Sequence, residues 1–199
     1  MIIGVDLNDV VRDFTGKLKN VVSKYHKRDT PEKLESYNIA EEFGFTGGTE
    51  ELNEFLYIEA SLEIFGHAPE KERNIVQKII RLHNDLEDNG HTLILISKEL
   101  NNSKPSTFFF LSKTMCKINT IKFVRNEEDY WNFVDVLITA NPIVLDYKPN
   151  DKISIKQIYS YNKDCQSDYT INGFDEVIDD DYSLIYKISN TKTIGYTEL

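Results

Sequence analysis

The sequence predicts an α/β fold: a doubly wound, mostly parallel sheet with a small helical cap and a β-rich C-terminal appendage. Three observations carry that expectation. Short, continuous apolar runs suited to strands buried on both faces recur at residues 2–6, 92–97, 120–124 and 134–139. Segments with apolar residues at helical spacing precede or separate most of them. The connections are long enough for right-handed crossovers between parallel neighbours. At 199 residues, 40% hydrophobic and 12% aromatic, the chain is long enough for one domain with a sizeable core plus an elaboration.

The first run, Ile2 to Asp6, ends in a carboxylate. In an open α/β sheet that places an acidic group at the carboxyl edge, where ligands sit. A helix is expected from near Asp9 to about Tyr25, with Val10, Val11, Phe14, Leu18, Val21 and Val22 on its apolar face. Residues 29–48 are polar and punctuated by Pro31 and Gly47-Gly48, after which Thr49 suits the cap of a helix reaching Phe65. Another helix is expected over residues 69–88, with Pro69 in its first turn and Asn89-Gly90 as its stop. Strand two, Thr92 to Ser97, ends in a small hydroxyl, and Pro105 opens a helix through Thr107, Phe108 and Leu111. Strands at 120–124 and 134–139 complete a core over residues 1–148, capped by helices between about 29 and 66.

Beyond Pro149 the composition changes. Ile153 to Tyr161 and Leu184 to Tyr196 are rich in Ile, Tyr and Thr with rough alternation, the pattern of antiparallel strands. An acidic stretch, Asp175 to Asp181, lies between them, and Ser189-Asn190-Thr191 is expected to turn a terminal hairpin. Residues 149–199 are the expected appendage.

The balance of 23 basic and 33 acidic residues gives a formal charge of −10, which disfavours direct nucleic-acid binding through phosphates. Cys116 and Cys165 are far apart and outside any Cys-x-x-Cys pattern, as expected of free thiols in a reducing compartment. The opening segment has no basic n-region, and its apolar run is too short for a membrane span, so a cytoplasmic location is expected. The four histidines lack metal-ligand spacing, and Asp179-Asp180-Asp181 lacks the alternating ligands of a calcium loop.

The strand ends carry a resemblance. Val-Asp-Leu-Asn-Asp-Val-Val at strand one, Leu-Ile-Leu-Ile-Ser-Lys at strand two, Lys104-Pro-Ser-Thr-Phe-Phe-Phe-Leu on the following helix and Asp135-Val-Leu-Ile-Thr-Ala-Asn-Pro at strand four resemble the haloacid dehalogenase superfamily. Within it, residues 1–148 look like the 5′(3′)-deoxyribonucleotidase group with its small helical cap. The resemblance implies two-step phosphoryl transfer. One aspartate is the nucleophile, and a second, two residues on, is general acid and base. A Ser or Thr at strand two and a lysine near strand three hold the phosphoryl oxygens, and acidic residues after strand four hold Mg²⁺.

Carried over by position, Asp6 is the nucleophile and Ser97 the phosphate-holding hydroxyl, with Lys98 and Arg125 as further phosphate-binding candidates. Asn8 stands where the acid–base aspartate belongs and cannot shuttle a proton at neutral pH. Thr139-Ala140-Asn141-Pro142 replaces the metal-binding acidic pair, and Arg125-Asn126-Glu127-Glu128 contains no lysine. Asp9 suits a helix cap or first-turn acid better than a displaced catalytic role, and Asp146 suits a solvated loop.

These losses point to a non-catalytic, phosphatase-like protein that works as an interaction or assembly component. Its partner would be another protein, or a second copy, held through residues 150–199, with Tyr159, Tyr161, Tyr186 and Tyr196 as interface candidates. The Asn-, Lys-, Ile- and Asp-rich composition extends this to a phage structural or accessory role, within a virion. No cofactor is expected. The alternative is a Mg²⁺-dependent nucleotidase-like phosphatase with Asp6 as nucleophile and metal ligand.

Overall fold

The computed structural model describes residues 1–27, 29–178, 184, 185 and 188. Its centre is one six-stranded sheet of β1 (Ile2–Asp6), β2 (Thr92–Lys98), β3 (Ile121–Val124), β4 (Val136–Thr139), β5 (Ile153–Gln157) and β6 (Tyr169–Ile171). The spatial order is β3-β2-β1-β4-β5-β6, and every neighbouring pair is parallel. The chain builds outward from β1 to β3, then returns to the other side of β1 as β4. That reversal opens a crevice at the carboxyl ends of β1 and β4, the usual ligand position in such sheets.

Alternation along the strands sorts the core into two faces. Ile3, Val5, Leu93, Leu95, Val136 and Ile138 share one cluster with α4 (Ile75–Asp88), α5 (Ser103–Lys113) and α7 (Asp175–Ile178). Ile94, Ile96 and Leu137 share the opposite cluster with Tyr130, Trp131 and Val144 of α6 (Pro142–Asp146). On α4 the buried residues Ile75, Val76, Ile79, Leu82 and Leu86 recur at helical period and form its sheet-facing stripe. Asn141 caps α6, its Oδ1 accepting from the Ile143 and Val144 N–H groups at 2.9 and 3.4 Å, with Pro142 opening the helix.

A third cluster is the cap. α1 (Phe14–His26) contributes Phe14, Leu18, Val21 and Val22 to it, with Ile39 and Ala40 of α2 (Ile39–Glu42) and Leu52 of α3 (Gly48–Glu54). Helix one is therefore part of the cap. It starts at Phe14 because Asp9 takes a left-handed conformation at φ 60°, and the turn around it bonds to itself: Asp9 N–H to Arg12 O at 2.9 Å, Arg12 N–H to Leu7 O at 2.9 Å. The helix expected to reach Phe65 ends at Glu54 and is continued by two wide turns, Phe55–Glu59 and Leu62–Gly66. There Ala60 N–H reaches Phe55 O at 2.9 Å and His67 N–H reaches Leu62 O at 3.0 Å, the i to i−5 pattern of π turns. Likewise α4 begins at Ile75, after a left-handed Asn74, well past Pro69.

The largest departure lies after Pro149. The residues expected as antiparallel strands from 153 instead extend the sheet in parallel, β5 beside β4 and β6 beside β5. β5 is a buried strand whose polar side chains are satisfied internally. The Lys156 ammonium donates to the carbonyls of Asn162, Lys163 and Cys165 at 3.2, 3.4 and 2.6 Å, and the Gln157 amide donates to Asn172 O at 2.7 Å. Those polar residues imitate the solvent-facing half of an alternating strand. The expected hairpin at Ser189-Asn190-Thr191 lies outside the described residues. No described helix is long and apolar enough to cross a membrane.

Gly4 sits where β1 passes closest to Val134 and Leu137. A Cβ there would lie 2.6 Å from Val134 Cγ1 and 3.0 Å from Leu137 Cδ1. Gly4→Ala is expected to destabilise the fold by about 1–3 kcal/mol through overpacking, read as a lower urea midpoint at unchanged slope.

Candidate functional site

Strand register gathers the candidate residues. Asp6 pairs with Ile96, and Val5 with Ile138, so Asp6, Ser97 and Thr139 lie at the carboxyl ends of β1, β2 and β4 along one edge. Asp6 is 1% exposed, and its carboxylate accepts from the Thr139 hydroxyl at 2.7 Å and the Asn8 N–H at 3.2 Å. The Tyr130 hydroxyl lies 3.5 Å from Oδ1 and itself accepts from the Lys98 N–H at 2.7 Å. Burial is the main influence on Asp6 and pushes its carboxyl up to about 7; the Thr139 and Asn8 hydrogen bonds and the Arg12 charge pull the other way, and Asp9 adds to the rise.

The turn after β1 leads into the interior. Arg12 is fully buried and ties four parts of the chain together. Its Nε donates to Asn8 Oδ1 at 2.8 Å, Nη1 to Thr107 Oγ1 at 2.6 Å and to Phe65 O at 3.3 Å, and Nη2 to Glu99 Oε1 at 2.6 Å. The guanidinium also lies 4.8 Å from the centre of the Phe65 ring. Glu99 is equally buried, and its Oε1 accepts from Ser97 Oγ at 2.9 Å and Thr107 Oγ1 at 2.8 Å as well.

Ser97 is therefore enclosed in a buried polar cluster, donating to Glu99, and it does not line the cleft described below. Lys98 does reach that cleft but is paired with Glu127 at 2.6 Å. Arg125 is exposed and stands away from the cleft, because Glu127 and Tyr130 of the same connection occupy the wall instead. Asn8 keeps its place beside Asp6 and uses its amide oxygen to hold Arg12. Asp146 is exposed at the end of α6.

Asp9 is a helix-end acid. Its Oδ1 accepts from the Thr15 N–H at 2.9 Å and the Thr15 hydroxyl at 3.0 Å, inside the first turn of α1. The Tyr161 hydroxyl donates to Asp9 Oδ2 at 3.0 Å and the Tyr159 hydroxyl to Asp9 O at 2.7 Å. These two tyrosines, expected at an interface, thus point inward: Tyr161 is 8% exposed, and the two rings stack on one another at 5.0 Å. Tyr186 and Tyr196 lie outside the described residues.

Between the cap and the sheet edge is a cleft of about 460 Å³. Asp6, Asn8, Lys98, Glu127, Tyr130 and Asn141 line it from the sheet, and Phe14, Tyr37, Asn53 and Tyr57 from the cap. Tyr37 packs against Tyr161 at 5.2 Å and Tyr57 stacks on Phe65 at 5.6 Å, so both rings are held from behind. Burial holds the hydroxyls of Tyr37 and Tyr130 well above the ordinary tyrosine range, with the Asp6 charge adding to the effect, so both remain protonated donors. Among the described residues, no three His, Cys, Asp or Glu side chains gather as metal ligands.

Of the residues singled out in the sequence, Asp6, Asn8 and Lys98 line the cleft, whereas Arg12, Glu99, Tyr37 and Tyr57 carry no sequence motif that marks them. Arg12 directly after Val10-Val11 is a weak signal for the buried pair, because Asp13 beside it suits a solvated stretch equally well. Its partner lies 87 positions away, beyond any local pattern.

No protein-family model and no curated protein matches the chain. Among solved structures, a haloacid dehalogenase-like family hydrolase from Xanthomonas campestris is similar over 80% of this chain and 83% of its own, at 15% identity and a TM-score of 0.39.

Two outcomes follow from the buried groups. Because the folded chain keeps a proton on Asp6 that the unfolded chain releases, stability falls as pH rises from the ordinary carboxylate range, and the full cost is present above about 7. Asp6→Asn is expected to stabilise the protein by about 2–4 kcal/mol near pH 8 and by almost nothing near pH 4, measured by thermal and urea unfolding. Glu99→Ala leaves Arg12 buried without its counter-charge and is expected to cost about 3–5 kcal/mol at neutral pH.

Proposed function

We propose that the chain is a non-catalytic, phosphatase-like protein whose cleft binds a small ligand without turning it over. The observation that carries this reading is that the groups a phosphoryl centre needs are engaged elsewhere. The Ser97 hydroxyl serves Glu99, the Lys98 ammonium serves Glu127, and Asn8 holds Arg12. Thr139 stands where a metal carboxylate is needed, and its hydroxyl donates to the nucleophile position itself.

The donor set does not suit Mg²⁺. That ion wants near-octahedral oxygen ligands, with carboxylates to balance its charge. Here Asp6 is accompanied by a threonine and asparagine side chains, and both of its oxygens already accept hydrogen bonds. General acid–base assistance, worth about 10²–10⁴ in rate, has no group in the place Asn8 occupies.

The second reading, an active phosphatase, draws on one observation: Asp6 ends β1 at the topological switch point, faces the cleft and lies beneath the cap. Turnover separates the two. With Mg²⁺ present, release of inorganic phosphate from an aryl phosphate and from nucleoside monophosphates is expected to be the same for the native chain and Asp6→Asn. Divalent-dependent release that disappears in Asp6→Asn would establish the enzyme instead.

A further inference from the structure

Among the described residues, the charges around the cleft leave one group without an opposite charge in contact. Arg12 is paired with Glu99 and Lys98 with Glu127, each at 2.6 Å, whereas the described contacts of Asp6 are neutral donors. A buried carboxylate held by neutral groups is costly, and an arriving cation relieves that cost. The wall around it is aromatic, formed by Phe14, Tyr37, Tyr57 and Tyr130. Ring faces attract cations, most strongly in a site shielded from water. Two carboxylates against one ammonium also make the cleft a poor host for a phosphate or another anion. A single carboxylate without a counter-charge is too few for a hard divalent ion, so the cation that fits carries its charge on nitrogen and its bulk on carbon.

We infer that the cleft is a binding site for an organic cation, an aryl- or alkylammonium whose nitrogen meets the Asp6 carboxylate and whose apolar body lies among Tyr37, Tyr57 and Phe14. This rests on the reading of the cleft as a binding site without turnover and adds the ligand class to it. The volume of about 460 Å³ accommodates a molecule of up to roughly drug-like size. Rings buttressed by Phe65 and Tyr161 are already in position, which lowers the ordering cost of binding.

Binding of this kind is linked to protons. An ammonium binds the ionised form of Asp6, and that form is in the minority below about pH 7. The other ionisable groups around Asp6 are Asp9 and Arg12 from the turn after β1, Lys98 and Glu99 from the end of β2, Glu127 and Tyr130 from the connection after β3, and Tyr37 and Tyr57 from the cap. Asp9, also raised by burial, is held by Thr15 and Tyr161 and does not line the cleft. Removing the Asp6 charge therefore isolates the carboxylate responsible.

The test is calorimetric titration of the full chain with three probes of similar size: 2-phenylethylammonium, the neutral 2-phenylethanol and the anionic phenyl phosphate. The expected result is a preference for the cation over the neutral probe of at least about tenfold, with affinity rising about tenfold between pH 6 and pH 8. Asp6→Asn is expected to abolish both the preference and the pH dependence while still binding the neutral probe. Should that variant fold poorly, the preference of the native chain for the cation over the neutral probe decides the question. Equal or tighter binding of the neutral or anionic probe, or no binding of the cation, overturns the assignment. Binding of phenyl phosphate without release overturns only the ligand class, whereas its hydrolysis overturns the non-catalytic reading on which that class rests.

Discussion

The ion pair between Arg12 and Glu99 organises the rest of the molecule. Both side chains are withdrawn from water, a step that costs several kcal/mol per ion unless geometry and hydrogen bonding offset it. On the Arg12 side the offset is extensive, whereas Glu99 accepts through Oε1 and its Oε2 is buried without a hydrogen-bond partner among the described residues. The guanidinium donates to a carboxylate, a hydroxyl, an amide oxygen and a main-chain carbonyl, and one face rests on an aromatic ring. The pair joins the turn after β1 to the end of β2, to α5 and to the second wide turn of the cap. It also gives Arg12 a partner other than Asp6, so that the guanidinium acts on Asp6 through its charge and not through a direct contact. The electrostatic character of the cleft is thus set by a contact outside it.

That contact explains why the sheet was largely legible in the sequence and the site only partly so. β1, β2 and β4 are apolar runs buried on both faces, and nothing in their interiors competes with that pattern. β5 does not read as a buried parallel strand because Lys156 and Gln157 are polar by type and buried by position, their heads accepted by carbonyls of the following turns. Helix boundaries failed where one residue adopts a left-handed backbone, as at Asp9 and Asn74, since non-glycine residues rarely announce it. At the site, position along a strand is enough to put Asp6 at the sheet edge, but the availability of Ser97 depends on Glu99, and that of Lys98 on Glu127. Such pairings are tertiary facts, and a motif match carries no information about them.

The cap and the sheet are held together by more than their shared cleft. The turn following β5 places Tyr159 and Tyr161 on Asp9, and the Ser160 hydroxyl donates to Leu34 O at 2.6 Å in the cap. Tyr161 is at once part of the cap's apolar cluster and the support for Tyr37. A segment that extends the sheet therefore also fixes the roof of the cleft. Movement of the cap would have to break hydrogen bonds to buried acceptors, which favours a preformed cavity over one that opens widely.

The tie between Asp9 and these tyrosines spans 150 and 152 positions, and β1 finds its neighbour β4 more than a hundred residues downstream. Contacts of such separation raise contact order and slow folding, because loop-closure entropy is lost before any pairing rewards it. During synthesis, the opening strand leaves the ribosome long before its partners exist. The Asp6 carboxylate at its end waits for Thr139 of β4, and Asp9 in the next turn waits until the turn after β5 has emerged. The first two-thirds of the chain is thus an incomplete folding unit, dependent on late-made residues to close both its sheet and its cleft.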